Sequence, residues 1–102
     1  MILHIDTSDQ KKVIVSLTKE DEVVKTSEGE HQYGSQILLP LIVKILASQG
    51  VSWEALTGVS VEEGPGSYTG LRVGAAVAQS LGYALNIPVN NQVNQPVGLK
   101  YS

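Results

Sequence analysis

The chain contains no cysteine, which excludes a disulfide framework, a thiolate metal site and a thiol nucleophile. It is also poor in charge: 17% of its residues are charged and the formal balance is −3. Its seven Lys and Arg residues are scattered from Lys11 to Lys100. Gripping a nucleic-acid backbone needs clustered basic side chains, so direct nucleic-acid binding is not expected. Histidine is scarce too. His4 and His31 do not form a helical two-histidine metal pair, and neither a metal nor a cofactor is expected. No apolar run approaches the length of a membrane span. Met1 leads straight into a strand-like segment with no basic leader. The expectation is a soluble cytoplasmic protein with no membrane partner. What is present, 102 residues of which 42% are hydrophobic, suits one globular domain.

The densest signal is Gly64-Pro65-Gly66-Ser67-Tyr68-Thr69-Gly70-Leu71-Arg72-Val73-Gly74. Glycine admits positive φ and lets another backbone approach without a Cβ in the way. Upstream, Leu56 to Val61 has the branched composition of a buried strand; downstream, Leu71 to Leu85 reads as a helix. In an α/β sheet, a glycine turn at the carboxyl end of a strand is a common docking place for a ligand or partner. It is not a P-loop, because Leu71 follows Gly70 where a Lys is required. Pro65 also removes an N–H that an anion would use.

Ile2 to Ile5 alternates weakly and stops at the polar cluster Asp6-Thr7-Ser8-Asp9. Val13 to Leu17 alternates apolar and small polar residues, as a half-buried strand does. Val23 to Ser27 follows the turn Glu20-Asp21-Glu22, and three strands so closely linked predict an antiparallel meander. Ser35 is the expected N-cap of a helix to about Gln49, with Gly50 just past its end. Pro40, a turn inside, predicts an irregular start. A strand from Thr57 to Val61 follows, then a helix from Thr69 to Leu85 stopped by Asn86 and Pro88. A short strand at Pro88 to Asn90 completes the order β-β-β-α-β-α-β. The predicted fold class is α/β, a mixed five-stranded sheet with helices packed on it. Residues 1–88 make the domain, and residues 89–102 a divergent tail with that one strand before a loose end.

Both helices have unusual surfaces. In the first, Ile37, Leu38, Leu41, Ile42, Ile45 and Leu46 form one apolar stripe, while Leu39, Val43 and Ala47 add a second face. A helix lying on a sheet normally keeps a polar back, so the added width is either core or a partner surface. The second helix carries Gly70, Gly74, Ala78 and Gly82 at four-residue steps, a ridge almost without side chains. Glycine costs about 1 kcal/mol inside a helix. Close approach of another helix, a partner's or this chain's first, is the physical reason to accept that cost.

The glycine turn, followed by Gly82-Tyr83-Ala84-Leu85-Asn86-Ile87-Pro88, resembles the TsaB family of bacterial threonylcarbamoyladenosine biosynthesis proteins. Ile2-Leu3-His4-Ile5-Asp6-Thr7-Ser8 and Ser35-Gln36-Ile37-Leu38-Leu39-Pro40 extend the resemblance, which runs from Met1 to about Pro88. It implies one half of the actin/Hsp70/sugar-kinase (ribonuclease H-like) architecture. It also implies a non-catalytic scaffold for the enzyme TsaD, which modifies an adenosine beside the tRNA anticodon. The helices would pack on matching helices of TsaD or, in its absence, on those of a second copy. The interface so implied is Ile37, Leu38, Leu41, Ile42, Ile45, Gly70, Gly74, Ala78 and Gly82, with no tRNA contact by this chain. Such proteins usually continue into a second domain, and the resemblance is to the first domain alone.

A different reading uses the same architecture. Asp6-Thr7-Ser8 stands where that architecture puts its first phosphate loop, which makes Asp6, Thr7 and Ser8 candidate phosphate contacts. With the glycine turn they would form a stand-alone small-ligand binder or a remnant hydrolase. The competing assignment is an Asx or ST turn between two strands, the default use of these residues. Glu62-Glu63 is not expected to be an acid/base pair, because adjacent strand residues point to opposite faces.

Overall fold

The computed structural model describes residues 1–30, 35–92 and 97–99; His31 and residues 93–96 and 100–102 of the expected tail lie outside them. Strands β1 (Ile2–Asp6), β2 (Lys12–Lys19) and β3 (Glu22–Glu30) form the meander. Glu20 and Asp21 join β2 to β3 with φ of 53° and 65°. Two left-handed residues make the primed turn whose twist matches that of the flanking strands. In β1 and β2, Leu3, Ile5, Val13, Val15 and Leu17 are buried. The register pairs Leu3 with Leu17 and Ile5 with Val15, so these side chains share one face. Strand β4 (Gly58–Val61) runs parallel to β1 and extends that face through Leu3–Val59 and Ile5–Val61. The sheet order is β3-β2-β1-β4.

Helix α1 (Ser35–Ser48) supplies the crossover that a later parallel strand needs. Pro40 lies inside the helix, whose span continues past it to Ser48. Ser35, the expected N-cap, is itself the first residue of the helix. At the other end Gly50 has φ of 63°, with Gly50 N–H on Ala47 O at 3.1 Å and Val51 N–H on Leu46 O at 2.9 Å. That pair of bonds is the Schellman closure for which glycine is the suited residue. Helix α2 (Tyr68–Leu85) starts at Ser67, whose hydroxyl accepts from Gly70 N–H, and ends at left-handed Asn86. Both helices cover the apolar face, where Leu38, Ile42, Ile45 and Ala78 join the strand residues in one core.

The expected fifth strand is reduced to one bridge. Val89 pairs in parallel with Val59, after which Asn90 and Asn91, with φ of 49° and 65°, turn the chain back so that Val89 and Gln92 bond each other. Among the described residues the sheet therefore has four strands. Pro88 O accepts from Val59 N–H at 3.0 Å and Asn90 N–H donates to Val59 O at 2.9 Å. Asn90's own side chain then serves Val61, Oδ1 accepting from its N–H at 2.8 Å and Nδ2 donating to its carbonyl at 3.1 Å. A side-chain amide has finished what a longer strand would have done.

Candidate functional site

The loop after β1 and the glycine turn are locked together. Thr7 is 0% exposed, and its hydroxyl donates to Gly70 O at 2.6 Å. A Cβ on Gly74 would collide with Thr7 Oγ1, so α2 comes this close only because that position is glycine. Asp6 Oδ1 accepts from both Ser8 N–H at 3.0 Å and Ser8 Oγ at 2.6 Å, an Asx turn. Ser8 O accepts from Ser67 N–H at 2.9 Å, and a Cβ on Gly66 would lie 2.6 Å from Ser8 Cβ. Of the three candidate phosphate contacts, Thr7 is thus interior and its hydroxyl holds the helix. Asp6 and Ser8 are half-buried and bonded to one another.

The glycine ridge also points inward. Gly70, Gly74, Ala78 and Gly82 are all buried. Gly70 and Gly74 meet Thr7, Ala78 belongs to the core, and Gly82 faces Val89 and the carbonyl of Ile87. At Gly70, Gly74 and Gly82 the close approach is made by Thr7 at the end of β1 and by Ile87 and Val89. Three more residues of the expected interface are buried within this chain as well. Leu38, Ile42 and Ile45 are each 0% exposed, which is about 1.5–3 kcal/mol of burial apiece spent on this chain's own core. Ile37 and Leu41 are half-buried, flanking Gly29 of β3.

Apolar surface remains on β3, where Val23 and Val24 are exposed, and on the outer face of the helices. Leu39 is 47%, Val43 49%, Tyr68 56% and Tyr83 83% exposed. One shallow groove of about 400 Å³ is lined by Tyr68, Thr69, Arg72, Val73, Ala76 and Val77. A second, of about 380 Å³, runs between the helices along Leu39, Ala76, Val77, Ser80, Leu81 and Ala84. They share Ala76 and Val77, so the depression is continuous across α2. Arg72 sits on its wall, Nη1 donating to Tyr68 Oη at 2.8 Å with the guanidinium 5.5 Å from the ring centre. The second face of α1 was legible from Leu39 and Val43. On α2 the signal was the side opposite the small residues.

A few polar groups lie elsewhere. His4 Nδ1 is 3.0 Å from Ser60 Oγ across β1 and β4, on the sheet face away from the helices. Glu62 and Glu63 are half-buried at the end of β4, where Glu62 N–H donates to Ile5 O. Among the described residues, no group of three or more His, Cys, Asp and Glu is arranged to hold a metal ion. None of their helices is long and apolar enough to cross a membrane.

A family model described as TsaD, tRNA N6-adenosine threonylcarbamoyltransferase, matches residues 27–95. The chain belongs to the TsaD family of domains, as a TsaB-type member. Among TsaB relatives, the Haemophilus influenzae tRNA threonylcarbamoyladenosine biosynthesis protein TsaB is 34% identical over 88 residues, 86% of this chain and 37% of that protein. YeaZ from Pseudomonas aeruginosa superposes with a TM-score of 0.78 at 32% identity, over 86% of this chain and 42% of its own. A tRNA N6-adenosine threonylcarbamoyltransferase from Nitrosospira multiformis is 50% identical over 52 residues, 51% of this chain and 15% of the enzyme. The chain spans well under half the length of the TsaB and YeaZ proteins it matches. The YeaZ likeness fits the actin/Hsp70/sugar-kinase type of fold.

Proposed function

We propose that this TsaB-type chain acts in tRNA threonylcarbamoyladenosine formation in the cytoplasm as a non-catalytic scaffold. It binds a TsaD-type transferase through the outer face of α1 and α2, and a second copy of itself when the transferase is absent. The relatives' names supply the pathway. The observation that carries the scaffold role is the apolar groove continuous across α2, with exposed Leu39 and Tyr68 in its lining and Val43 and Tyr83 exposed elsewhere on the same two helices. Contiguous apolar surface on a small domain marks a protein interface more often than a catalytic site. The interface moves from the buried ridge to the side chains opposite it. A small-ligand site at Asp6, Thr7 and Ser8 has no comparable support, because the Thr7 hydroxyl already holds Gly70 O.

Reconstitution tests this. Purified chain, transferase, tRNA and threonylcarbamoyl-adenylate are combined, and modified adenosine is measured by mass spectrometry. Modification is expected only when the chain and the transferase are both present. Val43→Asp should keep its circular dichroism yet neither bind the transferase nor support the reaction. Modification by the chain alone, or full support from Val43→Asp, overturns the reading.

A further inference from the structure

The two edges of the sheet are finished differently. At the β4 edge, the Val89 bridge and the Asn90 side chain take up main-chain groups of Val59 and Val61. Strand β3 is the other edge, and among the described residues it pairs with β2 alone. A nine-residue edge strand offers its outward N–H and C=O groups as a template for a further strand. The register shift opposite Leu17 and Thr18 leaves residues 25–30 as its regular stretch. We propose that this stretch takes an extended segment of a partner protein in which Lys or Arg alternates with apolar residues, added to the sheet beside β3. The surface lies apart from the outer face of the helices and does not rest on the scaffold reading.

The chemistry of the two faces specifies that segment. Glu28 pairs with Ile14 and Glu30 with Lys12, which puts both carboxylates on the sheet face that carries His4, away from the helices. Both residues are exposed, and the 3.8 Å contact of Glu28 with Lys12 is a surface pair that holds it weakly. Glu20, Asp21 and Glu22 stand at the other end of the strand. Residues 20–30 thus hold five acids against Lys25 alone, a formal −4 in a chain of −3. On the opposite face Gly29 has no side chain, and Ile37 and Leu41 of α1 reach over it while staying half-buried. An added strand meets acid on one face and apolar side chains on the other, so its own side chains must alternate in the same way. Main-chain bonds supply the affinity of strand addition, and the alternating side chains supply the choice of partner. Like charges on neighbouring strands repel, and a second copy would bring the same acids to the edge. The charges that turn away the copy therefore select a basic partner.

The test titrates the full chain with short labelled peptides, read by fluorescence anisotropy. One peptide alternates Lys and Val, a second has the same composition with its lysines in one block, and a third is the alternating peptide N-methylated at every peptide bond. The alternating peptide should bind about tenfold more tightly than either control, and should slow hydrogen exchange at the β3 amides that do not bond β2. The double variant Glu28→Lys/Glu30→Lys, checked for native circular dichroism, should bind it about tenfold more weakly and prefer a peptide alternating Glu and Val. Val43→Asp, on the outer face of α1, should bind the Lys–Val peptide as the native chain does. Absence of binding overturns the proposal, and so does equal binding by the blocked or N-methylated peptide, which would mean charge attraction without strand addition. Unchanged affinity in the double variant, or loss of binding in Val43→Asp, overturns it as well. Protection of the β3 amides that rises with the concentration of the chain alone would make a second copy the occupant, against the proposal. None of these outcomes bears on the scaffold reading, which reconstitution with the transferase decides separately.

Discussion

Asn90 and Val61 are joined by two hydrogen bonds, 2.8 Å and 3.1 Å, between one side-chain amide and both main-chain groups of the valine. A carboxamide offers the same donor and acceptor as a peptide unit, so it substitutes for the next residue of a fifth strand. The chain reverses at Asn90 and Asn91 without leaving the β4 edge unpaired, and a bare edge is what invites another chain to pair.

Asn90→Ala should therefore cost about 1–3 kcal/mol, because it leaves two main-chain groups without their partner. Asn90→Asp keeps the acceptor but turns a carboxylate toward the Val61 carbonyl, and should be no more stable than Asn90→Ala. Urea denaturation gives the stabilities, and hydrogen exchange at the Val61 amide should accelerate in both. Native protection of that amide in Asn90→Ala would mean that the bond is not what holds the edge.

Gly74→Ala sets two effects against each other. Alanine gains about 1 kcal/mol of helix propensity, but its Cβ runs into Thr7 Oγ1. Overpacking of this kind costs about 1–3 kcal/mol, more where little can move, and Thr7 is held by its bond to Gly70 O. The variant should be destabilised. Thr7→Ala removes the obstructing oxygen, so the double variant should be more stable than the sum of the two single changes predicts. Strict additivity in a thermal-denaturation cycle would disprove the contact.

Neighbouring positions of α1 should respond oppositely. Ile42 is 0% exposed and Val43 is 49% exposed. Ile42→Ala should lose about 2–5 kcal/mol, while Val43→Ala should stay within about 0.5 kcal/mol of native. Chemical denaturation of the pair checks the inward and outward faces of the helix directly.

Gly50 isolates backbone conformation from packing, since its φ is 63° and an added Cβ would meet nothing within 4 Å. Gly50→Ala should cost about 1–2 kcal/mol from the left-handed conformation alone. Gly50→Asn should cost less, because asparagine tolerates that region. Equal melting temperatures for the two variants would count against a conformational origin.

By itself the sequence determined the local elements. Alternation in Val13 to Leu17, the Gly50 and Asn86 stops and the apolar spacing of both helices are signals carried within a few residues, and each element formed where its signal stood. The four-residue glycine spacing likewise required something to come close to α2. Only the tertiary structure decided what came close, because Thr7 and Val89 reach the ridge from opposite sides of it in sequence. It also decided which apolar face of α1 is core: both faces read alike on a helical wheel, and the sheet covers the one bearing Leu38, Ile42 and Ile45. The lost fifth strand has the same origin. A side chain that replaces a strand's bonds acts across 29 residues, and no local pattern records which main-chain groups an asparagine will meet after folding.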